Sequence, residues 1–233
     1  MFHFNFFPLF CTQYRKSMDK IDNNLHHFWE SNFREKQQMW GLTPANSAFK
    51  AASLFQQNQF QNILIPGLGY GRNATPFLNL GMEVSGIEIS ETAISLAKSN
   101  FANQLKYIYQ GSVDDMPFNQ IQYDGIFCYS LIHLFEKSNR RKLIENCFNK
   151  LVLGGMMVFV AVSKQFPNFG KGKFLEPNRY ETQPGVRLFF YDGDSIQKEF
   201  SSYGLISYEL VSEEKQIADN KPINGYWYII CKK

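Results

Sequence analysis

The 233-residue chain has little excess charge of either sign. Its 24 Lys and Arg stand against 21 Asp and Glu, a net charge of +3. The basic residues are scattered rather than gathered into a stripe or tail, so no extended footprint for a phosphate backbone is expected and nucleic acid is not the expected partner. Cysteine is sparse. Cys11, Cys128, Cys147 and Cys231 lie too far apart for a metal knuckle or a redox pair, so no metal site is expected, and reduced, buried thiols in a cytoplasmic protein fit best. No apolar run is long enough to span a bilayer. The N-terminal MFHFNFFPLF is too short, and Arg15 and Lys16 follow it instead of preceding it as in a signal peptide. Internal repeats and low-complexity segments are absent.

Apolar residues are not lacking, at 44%, enough for the core of one α/β domain. Residues 18–233 are read as that single domain, acting as a monomer or weak dimer. Residues 1–17 form an aromatic arm that either packs on the domain or is not translated, because Met18 opens a good helical sequence.

From Met18 to about Trp40, apolar residues at Ile21, Leu25, Phe28, Trp29 and Phe33 recur at helical spacing. GLTP breaks that helix, and Thr43 and Pro44 resemble an N-cap and first-turn proline for a second helix through Phe55. Short apolar runs then alternate with helices. Strands are predicted at Asn62–Ile65, Glu83–Ile87, Lys106–Tyr109, Tyr123–Cys128 and Met156–Val162, and helices at Asn73–Leu80, Glu91–Phe101 and Lys137–Leu151. The strands are continuous apolar runs covered on both faces, which indicates a parallel sheet with right-handed crossovers. After Ser163, KQFPNFGKGKFLEPNRYETQPG has no helical period and reads as a functional lid or mobile loop. A helix at about Asp194–Tyr203 follows, and ISYELVS and GYWYIICK look like an antiparallel pair.

The first strand runs into a glycine-rich turn, ILIPGLGYGRNA. A P-loop would need Gly-Lys followed by Ser or Thr, which is absent. A dinucleotide turn wants Gly-x-Gly-x-x-Gly, whereas here the third glycine, Gly71, comes one place early and Arg72 holds the usual position. The second strand ends at Glu88, at the right distance for a carboxylate that accepts hydrogen bonds from ribose hydroxyls. On these residues alone, an NAD(P)-dependent oxidoreductase of Rossmann type stays open.

The ordered series ILIPGLGYGRNA, GMEVSGIEISETAISLAK, YIYQGSVDDMPF, YDGIFCYSLIHLF and LVLGGMMVFV resembles the motifs of class I S-adenosylmethionine-dependent methyltransferases, from Asn62 to Val162 without a gap. The resemblance implies a Rossmann-like, seven-stranded, mostly parallel sheet with helices on both faces and an antiparallel last strand. It implies S-adenosyl-L-methionine as cofactor. Gly67, Gly69 and Gly71 would let the backbone approach the methionine part, whose carboxylate the following helix N-terminus favours, with Arg72 as either an added charge or a surface residue. Glu88 would hold the ribose and Ile89 would lie against the adenine. Ser112 and the Val113 backbone would reach the adenine's polar edge, and Tyr129 would lie beside the methionine moiety. Two departures stand out. Ile65 replaces the acid that many members place two residues before the first glycine, and Ser112 replaces an Asp, with Asp114 a substitute or a turn residue.

The acceptor is narrowed by what is missing. CYSL replaces the Asn/Asp-Pro-Pro-aromatic of amino-group DNA methylases, there is no Pro-Cys nucleophile, and Ser130 and Leu131 cannot serve as the acidic metal ligands of catechol-type enzymes. FWESNFREKQQMWGLTPANSA resembles the N-terminal lid of small-molecule methyltransferases of the thiopurine and tellurite-resistance types. On that basis residues 18–58 form a helical lid, residues 163–187 a substrate-side loop, and the acceptor is a small molecule near Trp29, Trp40, Tyr180 and Arg187. His133 either serves as general base or packs neutrally. A cofactor-binding module without turnover is the remaining alternative.

Overall fold

The computed structural model describes residues 23–102, 104–116, 120–214 and 222–233. The arm at 1–17 and the helical start at Met18–Asp22 lie outside the described residues. The chain opens with α1 (Asn23–Lys36) and α2 (Asn46–Gln57). It continues through β1 (Asn62–Pro66), α3 (Thr75–Asn79), β2 (Glu83–Glu88), α4 (Glu91–Phe101), β3 (Leu105–Gln110) and β4 (Tyr123–Tyr129). Then come α5 (Lys137–Lys150), β5 (Leu151–Val162), β6 (Lys173–Glu176), β7 (Arg179–Gln183) and β8 (Val186–Phe189). Helix α6 (Gly193–Phe200) and the hairpin of β9 (Leu205–Glu214) and β10 (Pro222–Lys232) close the chain.

The main sheet has seven strands in the order β3-β2-β1-β4-β5-β10-β9. β1 to β5 pair in parallel, and β10 inserts antiparallel between β5 and β9. The alternation of side chains along each strand divides the core between the two faces. Met156, Val158, Val160 and Val162 of β5 join Phe127, Ala48, Phe55 and Phe77 on one face. Met157, Phe159 and Ala161 join Ile126, Cys128, Leu143 and Ile144 on the other. Both faces are buried, so these strands read as unbroken apolar runs. Cys128, Cys147 and Cys231 are free and buried. Among the described residues no helix is long and apolar enough to cross a membrane.

Three expectations change. Helix α2 begins at Asn46 with Ala45 as its N-cap and no side-chain cap there, so Thr43 and Pro44 precede it. The carboxylate of Glu213, on β9, takes the capping role. It accepts from the Asn46 N–H at 2.8 Å, from the Ser47 N–H at 3.2 Å and from the Ser47 hydroxyl. β5 starts five residues earlier than Met156, because the Gly154–Gly155 pair (Gly154 at φ +85°) lets the strand bulge beside β4. The stretch after Ser163 is no plain loop. β6, β7 and β8 form a three-stranded antiparallel sheet of their own.

Candidate active site

The glycine turn leaves β1 through three left-handed residues, Gly67 (φ +68°), Gly69 (+58°) and Gly71 (+88°). A Cβ at Gly71 would stand 2.6 Å from the Phe101 ring of α4, so that glycine permits close packing of helix on turn. A Cβ at Gly69 would meet only Phe33 of α1, at 3.8 Å. Gly69 is therefore the open position, facing α1. Its N–H donates to Glu88 Oε2 at 2.8 Å, while Glu88 Oε1 accepts from the Ile89 and Ser90 N–H groups at 2.8 and 2.9 Å. The turn and the acid are thus one unit. Three backbone donors fix a carboxylate with about four lone-pair positions, leaving room for a further hydroxyl donor. Glu88 is 6% exposed. Burial pushes its carboxyl pKa up, and the backbone hydrogen bonds counter this.

Residues within and just after the glycine turn fasten the N-terminal segment. The Tyr70 hydroxyl accepts from the Trp40 N–H (3.0 Å) and donates to the Gly41 carbonyl (2.8 Å). Arg72 Nη1 donates to the Thr43 carbonyl (3.0 Å) and Asn73 Oδ1 accepts from the Ala45 N–H (2.9 Å). Arg72 is therefore a tether of the α1–α2 linker, and its guanidinium also lies 5.7 Å from the Tyr129 ring. Helix α1 lies over the turn. Phe33 packs with Tyr70 and Ala93, and Glu30 accepts from the hydroxyls of Ser90 and Thr92, both at 2.6 Å, at the start of α4.

A cavity of about 500 Å³ opens beside this unit. Leu25, Phe28 and Trp29 of α1 form one wall, Arg179, Glu181, Val186 and Arg187 of the β7–β8 hairpin another, and Phe135, Glu136 and Asn139 a third. Ile89, Ser112 and Asp114 line it as well. The Asp114 carboxylate is held on both oxygens: the Ser112 hydroxyl donates to Oδ1, and the Asn139 amide of α5 donates to Oδ2 at 2.9 Å. Ser112 thus serves to orient Asp114, and the acid missing at the motif's usual place stands two residues on. An apolar side chain, Ile89, beside an oriented acceptor, Asp114, suits an adenine ring and its amino group. With the Glu88 unit, this donor set fits the cofactor that the sequence implies.

The other predicted site residues are distributed as follows. Trp29, Ile89, Ser112 and Arg187 line the cavity. The Val113 side chain is buried in the core. Tyr129 stacks on Phe127 and Tyr226, and burial raises its phenol pKa well above the usual value. Trp40 is 43% exposed and stacks on Tyr70, so it holds the linker and not the cavity. Tyr180 sits among the rings of Phe169, Phe174 and Phe190 and packs the small sheet. His133 is 5% exposed and does not line the cavity. Its Nδ1 accepts from the Val162 N–H at 3.4 Å, and burial lowers its pKa to about 3, which leaves it neutral. Glu30, Asn139 and Phe28 carry no sequence signal of their own, since their partners are distant in the chain.

Residues 64–159 match the family model described as "Methyltransferase domain". Over 216 residues the chain is 21% identical to the tRNA N(3)-methylcytidine methyltransferase Mettl2 of Drosophila melanogaster, a match covering 84% of this chain and 66% of that protein. The chain spans 53% to 66% of the length of the curated relatives it matches. Among solved structures, a Burkholderia thailandensis 1,6-didemethyltoxoflavin-N1-methyltransferase aligns with TM-score 0.69 and 12% identity over 98% of this chain and 93% of that one. TehB from Haemophilus influenzae aligns with TM-score 0.61 and 16% identity over 88% and 67%. At such identities the two structures bear on the fold alone.

Proposed function

We propose that this chain, whose residues 64–159 match a methyltransferase-domain model, is a class I enzyme that transfers a methyl group from S-adenosylmethionine to a small-molecule acceptor. The observation that carries the reading is the cavity. Its volume of about 500 Å³ lies within the range of small-molecule sites; with the cofactor's adenine against Ile89 and Asp114, the space beside the aromatic and apolar side chains of α1 is left for a small acceptor. Its walls bear three acids, Asp114, Glu136 and Glu181, against two bases, Arg179 and Arg187. A polyphosphate backbone laid across such a mouth gains little. The tRNA named for the Drosophila relative is the rival acceptor.

S-adenosylmethionine supplies a methyl group made electrophilic by a sulfonium. The chain's own residues then align and desolvate. Glu88 holds the ribose, Ile89 faces the adenine, and Asp114 accepts from its amino group, set by Ser112 and Asn139. Gly67, Gly69 and Gly71 admit the methionine part, with Tyr129 as a neutral aromatic neighbour. Trp29 and Phe28 exclude water from the acceptor. His133 stays neutral and buried behind the cavity, outside the proton path, and an acceptor proton is lost to bulk solvent at the cavity mouth.

The test is partition of a labelled methyl group. The purified chain is incubated with methyl-labelled S-adenosylmethionine together with a low-mass metabolite extract and total tRNA. Label is expected in the low-mass fraction. Label confined to tRNA would assign the cavity to a nucleoside instead.

A further inference from the structure

Resting on the small-molecule reading, we propose that the acceptor carries a carboxylate, gripped by Arg179 with Arg187 beside it. In the β7–β8 pair, Glu181 stands opposite Arg187 and Arg179 opposite Phe189. Alternation along β7 therefore places Arg179, Glu181 and Arg187 on one face of the hairpin, with the two arginines as diagonal neighbours. All three line the cavity.

Arg179 is the unusual member. It is 6% exposed, and a guanidinium is costly to bury unless its donors are used. Its Nη1 meets Glu136 Oε1 at 3.1 Å and Glu176 Oε1 at 3.4 Å. Both of those side chains keep more than half of their surface in water, so their charges are screened and the pairs are weak. Its Nε is buried and has no hydrogen-bond partner among the described residues. A buried donor left in this way calls for a missing partner. Arg187 stands at the exposed rim, with Glu181 Oε2 at 3.8 Å as its ion-pair partner. Two guanidiniums on one face of a hairpin, one of them buried, match the planar, two-oxygen geometry of a carboxylate better than that of any neutral group. Phe28, Trp29 and Phe135 on the other walls suit a flat apolar body attached to it. A single carboxylate entering between the arginines meets the desolvated Arg179 charge, whereas a polyanion would remain at the rim with the acids.

The experiment uses the full chain saturated with S-adenosylhomocysteine and titrated in a calorimeter with benzoate and with benzamide, two probes of one shape that differ in charge. Benzoate is expected to bind at least tenfold more tightly than benzamide. Arg179→Gln is expected to abolish that preference and Arg187→Gln to reduce it about threefold, with S-adenosylhomocysteine binding in the same sample as the control for folding. Arg179→Lys keeps the charge without the fork and is expected to fall between. Equal affinity of the two probes, binding of neither by a chain that holds S-adenosylhomocysteine, or an Arg179→Gln chain that keeps the preference would each overturn the proposal. So would displacement of benzoate by total tRNA. A chain that fails to bind S-adenosylhomocysteine would instead strike at the methyltransferase reading beneath it.

Discussion

Replacing Glu30 with Ala should loosen helix α1 from the cofactor side of the domain. Glu30 reaches from α1 to the first turn of α4, where Ser90 Oγ and Thr92 Oγ1 donate at 2.6 Å and the Thr92 N–H donates at 3.1 Å. The helix N-terminus adds a favourable field for its charge. Burial of the side chain, 13% exposed, pushes its pKa up, yet these hydrogen bonds outweigh burial and lower it from 4.5 to about 2. A depression of that size corresponds to roughly 3 kcal/mol of preferential stabilisation of the charged form in the docked state. Because the folded value is depressed, the stabilisation is fully present above pH 4.5 and disappears as pH falls towards 2. Hydrogen exchange measured at neutral pH is the direct assay. Amides of Asn23–Lys36 in the Glu30→Ala chain should exchange about a hundredfold faster than in the parent, the factor given by roughly 3 kcal/mol. Those of β5 should change far less. The dissociation rate of S-adenosylhomocysteine should rise with it, since α1 lies over the glycine turn at Gly69. Unchanged exchange across α1 would refute the clasp and with it the idea that this carboxylate holds α1 on the domain.

Asp114→Ala should weaken S-adenosylhomocysteine binding by about 1–3 kcal/mol, while Asp114→Asn, which keeps an acceptor, should lose less; equal affinities by calorimetry would remove Asp114 from the adenine site. Gly71→Val should lower the urea midpoint sharply, because its Cβ would sit 2.6 Å from Phe101 at φ +88°. Gly69→Ala, with 3.8 Å of clearance, should cost only the left-handed strain of roughly 1–2 kcal/mol, and equal losses from the two would contradict the division of roles in the turn. His133→Gln should leave turnover within about threefold, the scale of a repacked wall rather than of a lost base. In the parent chain the depressed His133 value means that its contribution to stability is present above pH 6.5 and is lost as pH falls towards about 3. A large fall in kcat together with loss of a pH step near neutrality would make His133 the base.

Local chemistry explains which parts were legible in the sequence. Helix α4 spans the predicted Glu91–Phe101 because its cap is local: the Ser90 hydroxyl accepts from the Ala93 N–H at 3.1 Å. The parallel strands were legible because both faces of the sheet are buried. The cap of α2 was not, since Glu213 is supplied from 166 residues away. The same distance problem hides Asn139, 25 residues beyond the Asp114 it orients, and Glu30, 60 residues before Ser90. The β6–β8 sheet escaped detection because KFLE and RYETQ are short and half-exposed, with no clean apolar alternation. Arg179 is legible as a loop residue, but its burial is not, because it depends on how the hairpin packs against residues 132–136.

The central claim is that the strand–turn–Glu88 unit with Asp114 holds an adenosyl sulfur compound. Calorimetric titration of the purified chain with S-adenosylhomocysteine, with and without excess NAD, tests it most directly. Single-site binding with a dissociation constant on the order of micromolar, indifferent to NAD and weakened by Glu88→Ala, is the expected result. No heat up to millimolar S-adenosylhomocysteine, with NAD retained by the same protein, would contradict it.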